Sequence, residues 1–386
     1  MPRLYLHIGS HKTGTTAVQQ GLHQNRILLE ALGITYVGTG NIAHIHSAIG
    51  PISPTSFLPA GYKVIDPADL AARLAAAQTE TVVASSENFS FFFDKSAVTA
   101  LALALRPHFD DIRIVCYLRR QDRHAVSHHQ EGAKPNRQAE GALWGHAPTA
   151  LPDYSTAHDL YLDYHHRLGL WADVFGDAAM IIRIYDRDLL KKRDIFADFL
   201  GLLDLDITGL LPIGDRNASL GAAQTKVGHL MNSLEVRAKT ADAILARIEG
   251  EGRLQPSRAE ARAFLARYLA GNRLLNQRFA ITPDANLFND DFSDYPETPH
   301  SDWTEDRANA ALLATLQHLV EVPTPVAGPT ADDFRTAAVA LRNTHPDMAL
   351  RLITAAFALR PTGSAILKIK AELEAQTDPS NPRKAP

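Results

Sequence analysis

Apolar residues come in two rhythms along the first part of the chain. Leu4 to Ile8, Ile34 to Val37, Thr81 to Ala84, Ile112 to Leu118 and Met180 to Tyr185 are short, nearly continuous apolar runs. Runs of that length, bounded by turn residues, predict strands buried on both faces. Between them the spacing is helical. Thr15 to Leu32 carries Val18, Leu22, Leu28, Leu29 and Leu32 on one stripe. Helices are also predicted over Asp69 to Ala77, Lys95 to Leu105, Gln121 to Glu131, His158 to Phe175 and Asp188 to Leu200. Strands alternating with helices predict crossover connections and a parallel sheet, an α/β fold.

After about residue 218 the pattern turns helical, with one long amphipathic helix over Ala259 to Phe279 and another over Arg307 to Val320. Asp284 to Glu305, rich in Asp, Ser and Pro, predicts a loop. A Pro/Thr/Gly linker, Pro323 to Thr330, marks the expected boundary. The expected domains are thus 1–322, with a core at about 3–220 and a helical part at 221–322, and a helical hairpin at 331–376. In that hairpin Ala337, Ala349, Ala356 and Pro361 fall where a tetratricopeptide helix pair places its small residues and terminal proline. A docked hairpin is the simpler expectation, because one such repeat is not stable alone. Residues 377–386, rich in Pro and Lys, are expected to be disordered.

Composition changes this picture little. The 386 residues are 45% hydrophobic and 21% charged, ordinary for a globular protein. A net charge of −4 argues against nucleic-acid binding through bulk charge. From Ile112 to Arg137, however, six Lys or Arg stand against two acidic residues, with three histidines besides. One cysteine, Cys116, allows no internal disulfide and fits a reducing compartment. The first apolar run is short and broken by His7, so no signal peptide is expected; no run approaches the ~20 apolar residues of a membrane span. The expectation is a soluble cytoplasmic protein without a membrane anchor.

The strand at Leu4 to Ile8 leads into Gly9-Ser10-His11-Lys12-Thr13-Gly14-Thr15-Thr16 and then a helix. Glycines let backbone N–H groups approach an anion, the helix N-terminus faces it, and Lys12 with the Thr13, Thr15 and Thr16 hydroxyls adds further donors. The spacing of Gly9 and Gly14 matches a nucleotide-kinase loop, but such a loop carries Lys directly after its second Gly, where Thr15 stands here. A second basic motif follows the strongest apolar strand, with Arg119 at its end and Ser127 eight residues later on the next helix. An Arg at the C-terminal end of a parallel strand is well placed to grip a phosphate through two hydrogen bonds. Arg120, Arg123 and His124 are expected to be a solvated helix start.

His11-Lys12-Thr13-Gly14-Thr15-Thr16 resembles the 5′-phosphosulfate loop of sulfotransferases that use 3′-phosphoadenosine 5′-phosphosulfate (PAPS), with His11 in place of the family's usual Pro. Arg119 and Ser127 resemble that family's contacts to the 3′-phosphate, although Arg120-Gln121 stands where many members have Asp-Pro or Asn-Pro. The run Ile182-Arg183-Ile184-Tyr185-Asp186 resembles a late strand whose tyrosine lies near the adenine, and Arg216-Asn217-Ala218-Ser219-Leu220 with Gly271-Asn272-Arg273 resembles a bacterial branch. The resemblance spans about residues 3 to 295. It implies a P-loop-type three-layer α/β fold and transfer of a sulfuryl group from PAPS, as co-substrate, to a hydroxyl or amine. The acceptor is open, and a carbohydrate is one candidate. The implied donor-binding residues are His11, Lys12, Thr13, Gly14, Thr15, Thr16, Arg119 and Ser127. Lys12 is expected to meet the leaving oxygen, and Glu87, following a strand, is the expected base. No metal is expected: His124 and His128 have zinc-like i, i+4 spacing but lack an adjacent Glu. Thirteen of 17 histidines precede residue 167. Of these, His44 and His46 are candidates for a loop closing over the acceptor, and His165 and His166 for helix surface. Trp144 and Tyr154 are candidates for stacking on a sugar. The alternatives are a nucleotide kinase or NTPase, which predicts Mg²⁺ dependence, and a non-catalytic binding protein recruiting a partner through its C-terminal helices.

Overall fold

The computed structural model describes residues 2–38, 66–135, 141–206, 208–211, 219–301, 303–321 and 329–377. The chain divides into two compact units, Met1–His318 and Leu319–Pro386.

All five predicted strands form: β1 (Arg3–His7), β2 (Ile34–Tyr36), β3 (Thr81–Ser85), β4 (Asp111–Leu118) and β5 (Met180–Ile184). They make one parallel sheet in the order β2-β3-β1-β4-β5, with β1 at its centre. Successive side chains go to opposite faces. Leu4, Leu6, Val82, Ala84, Ile114 and Cys116 belong to one core, whereas Tyr5, Val83, Val115 and Tyr117 belong to another. That two-sided burial is why the strands read as continuous apolar runs.

The first core is closed by α3 (Pro67–Ala75), α4 (Lys95–Leu105) and α8 (Tyr164–Phe175), through Leu70, Leu101 and Trp171 among others. The second is closed by α1 (Thr15–Gln24), α2 (Arg26–Ala31) and α9 (Ile195–Gly201), through Val18, Leu29 and Phe196. The remaining helices of this unit are α5 (Gln121–Glu131), α6 (Gly141–Trp144), α7 (Thr156–Leu162), α10 (Ala222–Ser233), α11 (Ala238–Leu245), α12 (Arg258–Ala266) and α13 (Leu269–Phe279), with α14 (Glu305–Glu321) running across the division.

Three predicted single helices are each two. Thr15 to Leu32 breaks at Asn25, whose amide donates to Gly21 O at 2.9 Å and whose Oδ1 accepts from Leu211 N at 2.7 Å. His158 to Phe175 breaks at Asp163, whose carboxylate accepts from His166 N at 3.0 Å and so caps α8. Short polar side chains capture backbone groups in this way and end helices that an apolar stripe alone would continue. Ala259 to Phe279 breaks at Tyr268, whose N–H bonds Leu265 O at 2.9 Å in a tighter turn.

In the C-terminal unit the expected hairpin is three helices, α15 (Ala331–Leu341), α16 (Pro346–Leu359) and α17 (Ser364–Thr377). They share a core of Ala331, Ala338, Ala349, Ile353, Ala356, Ile366 and Leu373. Ala331 and Ala338 are the buried small residues of α15, and Ala337 is half-buried. Residues 378–386 of the expected tail lie outside the described residues. No described helix is long and apolar enough to cross a membrane.

Between α5 and α10, His129 and His229 stack with ring centroids 4.1 Å apart, both fully buried. Burial and mutual repulsion push His129 to about 3; burial and His146 push His229 to about 4. Each binds a proton less readily folded than unfolded. Their stabilisation is therefore complete above the ordinary imidazole value of 6.5 and drains away as pH falls toward 4. Protonating His229 alone is expected to cost about 3 kcal/mol by pH 4. His229→Phe should retain the stack and flatten the fall of the thermal midpoint between pH 6.5 and 4; an unchanged slope would contradict this origin of acid sensitivity.

Candidate anion-binding cleft

The C-terminal edge of the sheet gathers the sequence motifs. β1 leads into the Gly9–Thr16 loop, β3 into Ser85-Ser86-Glu87, β4 into Arg119 and β5 into Tyr185. Ligands of open parallel sheets bind at this edge, because the loops that leave it diverge around a crevice.

The loop is held to β4 by continued ladder bonds: Tyr117 N donates to Gly9 O at 2.8 Å, and Ser10 N donates to Tyr117 O at 3.0 Å. On the other side Ser90 Oγ donates to Ile8 O at 2.7 Å. Gly9 has φ +104, and a Cβ there would lie 2.6 Å from Ser90 Oγ, so this position requires glycine. Gly14, at φ 79, ends the loop and starts α1, whose first N–H groups have no side-chain cap and no acidic residue in the first turn. Uncapped donors at a helix N-terminus favour an anion.

His11, Lys12, Gly14, Thr15, Thr16, Glu87, Arg119 and Ser127 all line one cleft of about 810 Å³. Thr13 does not: its side chain is fully buried and its hydroxyl donates to Ser10 O at 2.7 Å. The expected ligand-donating hydroxyl at Thr13 is corrected to a brace within the loop. A second cavity of about 1000 Å³ shares Ala17, Arg119, Tyr185 and Ile195 with the first. Arg119 thus stands between two spaces, with its guanidinium 6.0 Å from the Tyr185 ring centre and NH1 donating to Lys12 O at 3.3 Å. Burial pushes its pKa down. It remains a cation, and one short of water gains by meeting an anion.

Lys12 meets a residue that the sequence did not single out. Its Nζ lies 2.9 Å from Glu131 Oε2, and Lys134 Nζ lies 3.0 Å from the same oxygen. The two ammonium groups overcome burial and hold the Glu131 carboxyl at about 2. The available signal was the spacing of Ser127 and Glu131, one helical turn apart on α5 and so on one face.

Glu87 Oε2 accepts from Gln19 Nε2 at 2.8 Å, and Gln19 also reaches Ser85 Oγ at 3.3 Å. Ser85 Oγ in turn is 2.8 Å from His7 Nδ1. Burial pushes His7 down to about 4 although Glu87 opposes it, so the strand end carries a neutral imidazole at neutral pH. His11 is held by Tyr161, whose hydroxyl lies 2.7 Å from Nδ1 and accepts from the His11 backbone N–H at 3.1 Å.

Several expectations around the cleft change. Arg120 is not solvated. It is 4% exposed and bidentate to the buried Asp122 at 2.8 and 2.9 Å, and it bonds Asn289 and stacks on Phe292 at 4.2 Å. It fastens the segment after α13 to the start of α5. Arg123 bonds Asp294 at 2.8 Å, and His124 is fully buried. Trp144 is buried between His128 and His158, and Tyr154 bonds Asp159 at 2.6 Å beneath Arg267; neither lines the cleft. Apolar packing and local bonds therefore claim both rings. His166 is exposed and His165 half-buried on α8. His44, His46 and Arg216-Asn217-Ala218 lie outside the described residues. Among the described residues no three His, Cys, Asp or Glu side chains form a group able to hold a metal ion.

No family model matches the chain. An uncharacterized protein of Archaeoglobus fulgidus is 34% identical over 97 residues, which are 25% of this chain and 23% of that protein. The chain thus matches less than a quarter of the length of that relative. A crystal structure of a sulfotransferase from Alicyclobacillus acidocaldarius aligns over 73% of this chain and 97% of that chain, at 14% identity and a TM-score of 0.39. A likeness that distant decides nothing about the chemistry of the cleft.

Glu131→Gln removes one negative charge from the cleft and frees both lysines. It is expected to tighten inorganic pyrophosphate binding about fivefold at low ionic strength, a gain that shrinks as salt rises. Weaker binding in a calorimetric titration would mean that Glu131 orients Lys12 toward the anion instead of competing with it.

Proposed function

We propose that the cleft binds PAPS and that the protein transfers its sulfuryl group to a hydroxyl or amine of an acceptor. One observation carries this: the Lys12 loop and the Arg119–Ser127 pair, far apart in sequence, line the same cleft, and Arg119 also lines the second cavity. Two separated cation and hydroxyl sets suit a ligand with anionic groups at both ends. The backbone N–H groups of Gly14 to Thr16 and the Thr15 and Thr16 hydroxyls would hold the 5′ end, while Arg119 and Ser127 would hold the 3′-phosphate.

In the transfer, an acceptor oxygen or nitrogen forms a bond to sulfur while the bond from sulfur to the 5′-phosphate oxygen breaks. The phosphate leaves with the electron pair, and the acceptor proton passes to a base. Lys12 would neutralise the charge that develops on the leaving oxygen, which requires its ammonium to exchange Glu131 for that oxygen. Glu87 would accept the proton, with Gln19 holding one carboxylate oxygen in place. Glu131, which also lines the cleft, is a poor base because two ammonium groups depress it to about 2. Side chains and backbone N–H groups share the roles in this scheme, and positioning of donor and acceptor in line carries much of the rate. The lining of the cleft also includes Leu220 and, from the helical part, Leu245 and Ala246, and the acceptor would lie against them.

Incubation with sulfur-labelled PAPS and a panel of hydroxyl and amine acceptors tests the proposal. Label transfer without added Mg²⁺ is expected; nucleotide hydrolysis of ATP that requires Mg²⁺, with no sulfuryl transfer, would contradict it. Lys12→Ala is expected to lower turnover by at least about a hundredfold without shifting the thermal midpoint. Unchanged turnover would remove Lys12 from its role.

A further inference from the structure

Behind the loop lies a charge that the proposed chemistry does not use. Arg167, on α8, is 1% exposed. Its NH2 donates to Ser10 Oγ at 2.7 Å, while Nε and NH1 are buried without a hydrogen-bond partner. Among the described residues no carboxylate pairs with it. Titratable groups that feel its charge include Cys116, whose thiol burial pushes up, His124, whose imidazole burial pushes down, and Tyr164, whose phenol burial pushes up. None of them supplies a negative charge near neutral pH.

The surroundings of Arg167 connect it to both halves of the cleft. Its guanidinium lies 4.6 Å from the ring centre of Tyr161 and 5.2 Å from that of Tyr164. The Tyr161 hydroxyl accepts the backbone N–H of His11 in the loop. The Tyr164 hydroxyl donates to the carbonyl of Arg119 at 2.7 Å. Ser10, its third contact, is the residue whose N–H bonds Tyr117 and whose carbonyl accepts from Thr13. One cation therefore backs the loop at Ser10 and His11, and backs Arg119 through Tyr164.

A buried guanidinium with no counter-charge is costly, and a well-packed apolar side chain of similar volume often serves the fold as well or better. We infer that Arg167 is a positioning residue for the anion site: it sets the geometry of the loop and of Arg119 from behind, and its charge is balanced by the bound anion instead of by a carboxylate of the chain. The inference rests on the cleft being an anion site, and its second half predicts an opposition between stability and binding. Cation–π contact with two tyrosines offsets part of the cost when the site is empty.

The test uses the full chain, the variants Arg167→Met and Arg167→Lys, and two probes, inorganic pyrophosphate and adenosine 3′,5′-bisphosphate, by calorimetric titration beside ligand-free thermal midpoints. Arg167→Met should have a ligand-free midpoint no lower than the parent and bind pyrophosphate about tenfold more weakly or worse; Arg167→Lys should recover part of the affinity. A folded Arg167→Met with unchanged pyrophosphate affinity overturns the inference, and a ligand-free midpoint well below the parent overturns its claim of an uncompensated charge. If Arg167→Met does not fold, the claim of an uncompensated charge falls and Arg167→Lys decides the positioning claim: a loss of about threefold or more supports it, and an unchanged affinity overturns it. A parent protein that binds pyrophosphate but not the bisphosphate defeats the sulfotransferase proposal and leaves Arg167 measurable. Binding of neither probe overturns both.

Discussion

Two backbone hydrogen bonds carry the loop past the end of β1 and along β4: Tyr117 N to Gly9 O and Ser10 N to Tyr117 O. Because of them the first residues of the loop are an extension of the sheet, not a free turn. β4 continues from Tyr117 to Leu118 and releases Arg119 two residues beyond the point where the loop is pinned. The distance between Lys12 and Arg119 is thus set by ladder register, a property of the least deformable part of the molecule. The Arg119 guanidinium returns to Lys12 O at 3.3 Å, which closes the connection. Glycine at position 9 is the condition for this route, since a Cβ there would collide with Ser90 Oγ.

Around this frame, buried polar groups do what backbone pairing cannot. Tyr161 and Tyr164 reach from α7 and α8 to the loop and to Arg119, with Arg167 against both rings. Arg120 and Asp122 pair in the interior and bind the segment after α13 at Asn289. The tyrosines thereby hold the loop and Arg119, while Arg120 and Asn289 line the second cavity. Glu131 holds Lys12. Together these contacts place cations around the cleft while leaving most of them paired to protein atoms that an anion can replace.

The strands were legible because burial on both faces leaves an unbroken apolar signature, and the parallel sheet followed from their alternation with helices. The loop was legible because glycine, lysine and threonine have few other reasons to cluster after a buried strand. Helix ends were less so. Asn25 closes one helix and Asp163 opens the next by bonds to their own backbone neighbourhood, and nothing in the apolar stripe announces that choice. The partners of charged residues were least legible. Arg120 looked like surface from composition and lies inside because Asp122 and Asn289 converge on it. Glu131 and Arg167 take their roles from tertiary proximity to Lys12 and Ser10, which one-dimensional spacing does not encode. Trp144 looked available for a ligand and is claimed by the interior, as large rings usually are.

The central claim is that the loop and Arg119 with Ser127 grip two separate anionic groups of one nucleotide. It is tested most directly by titrating the protein calorimetrically with adenosine 3′,5′-bisphosphate and, in parallel, with adenosine 5′-monophosphate, which differ by the 3′-phosphate alone. The account predicts that the bisphosphate binds at least about tenfold more tightly and that Arg119→Ala abolishes the difference. Equal affinity of the two nucleotides for the unaltered protein would contradict it.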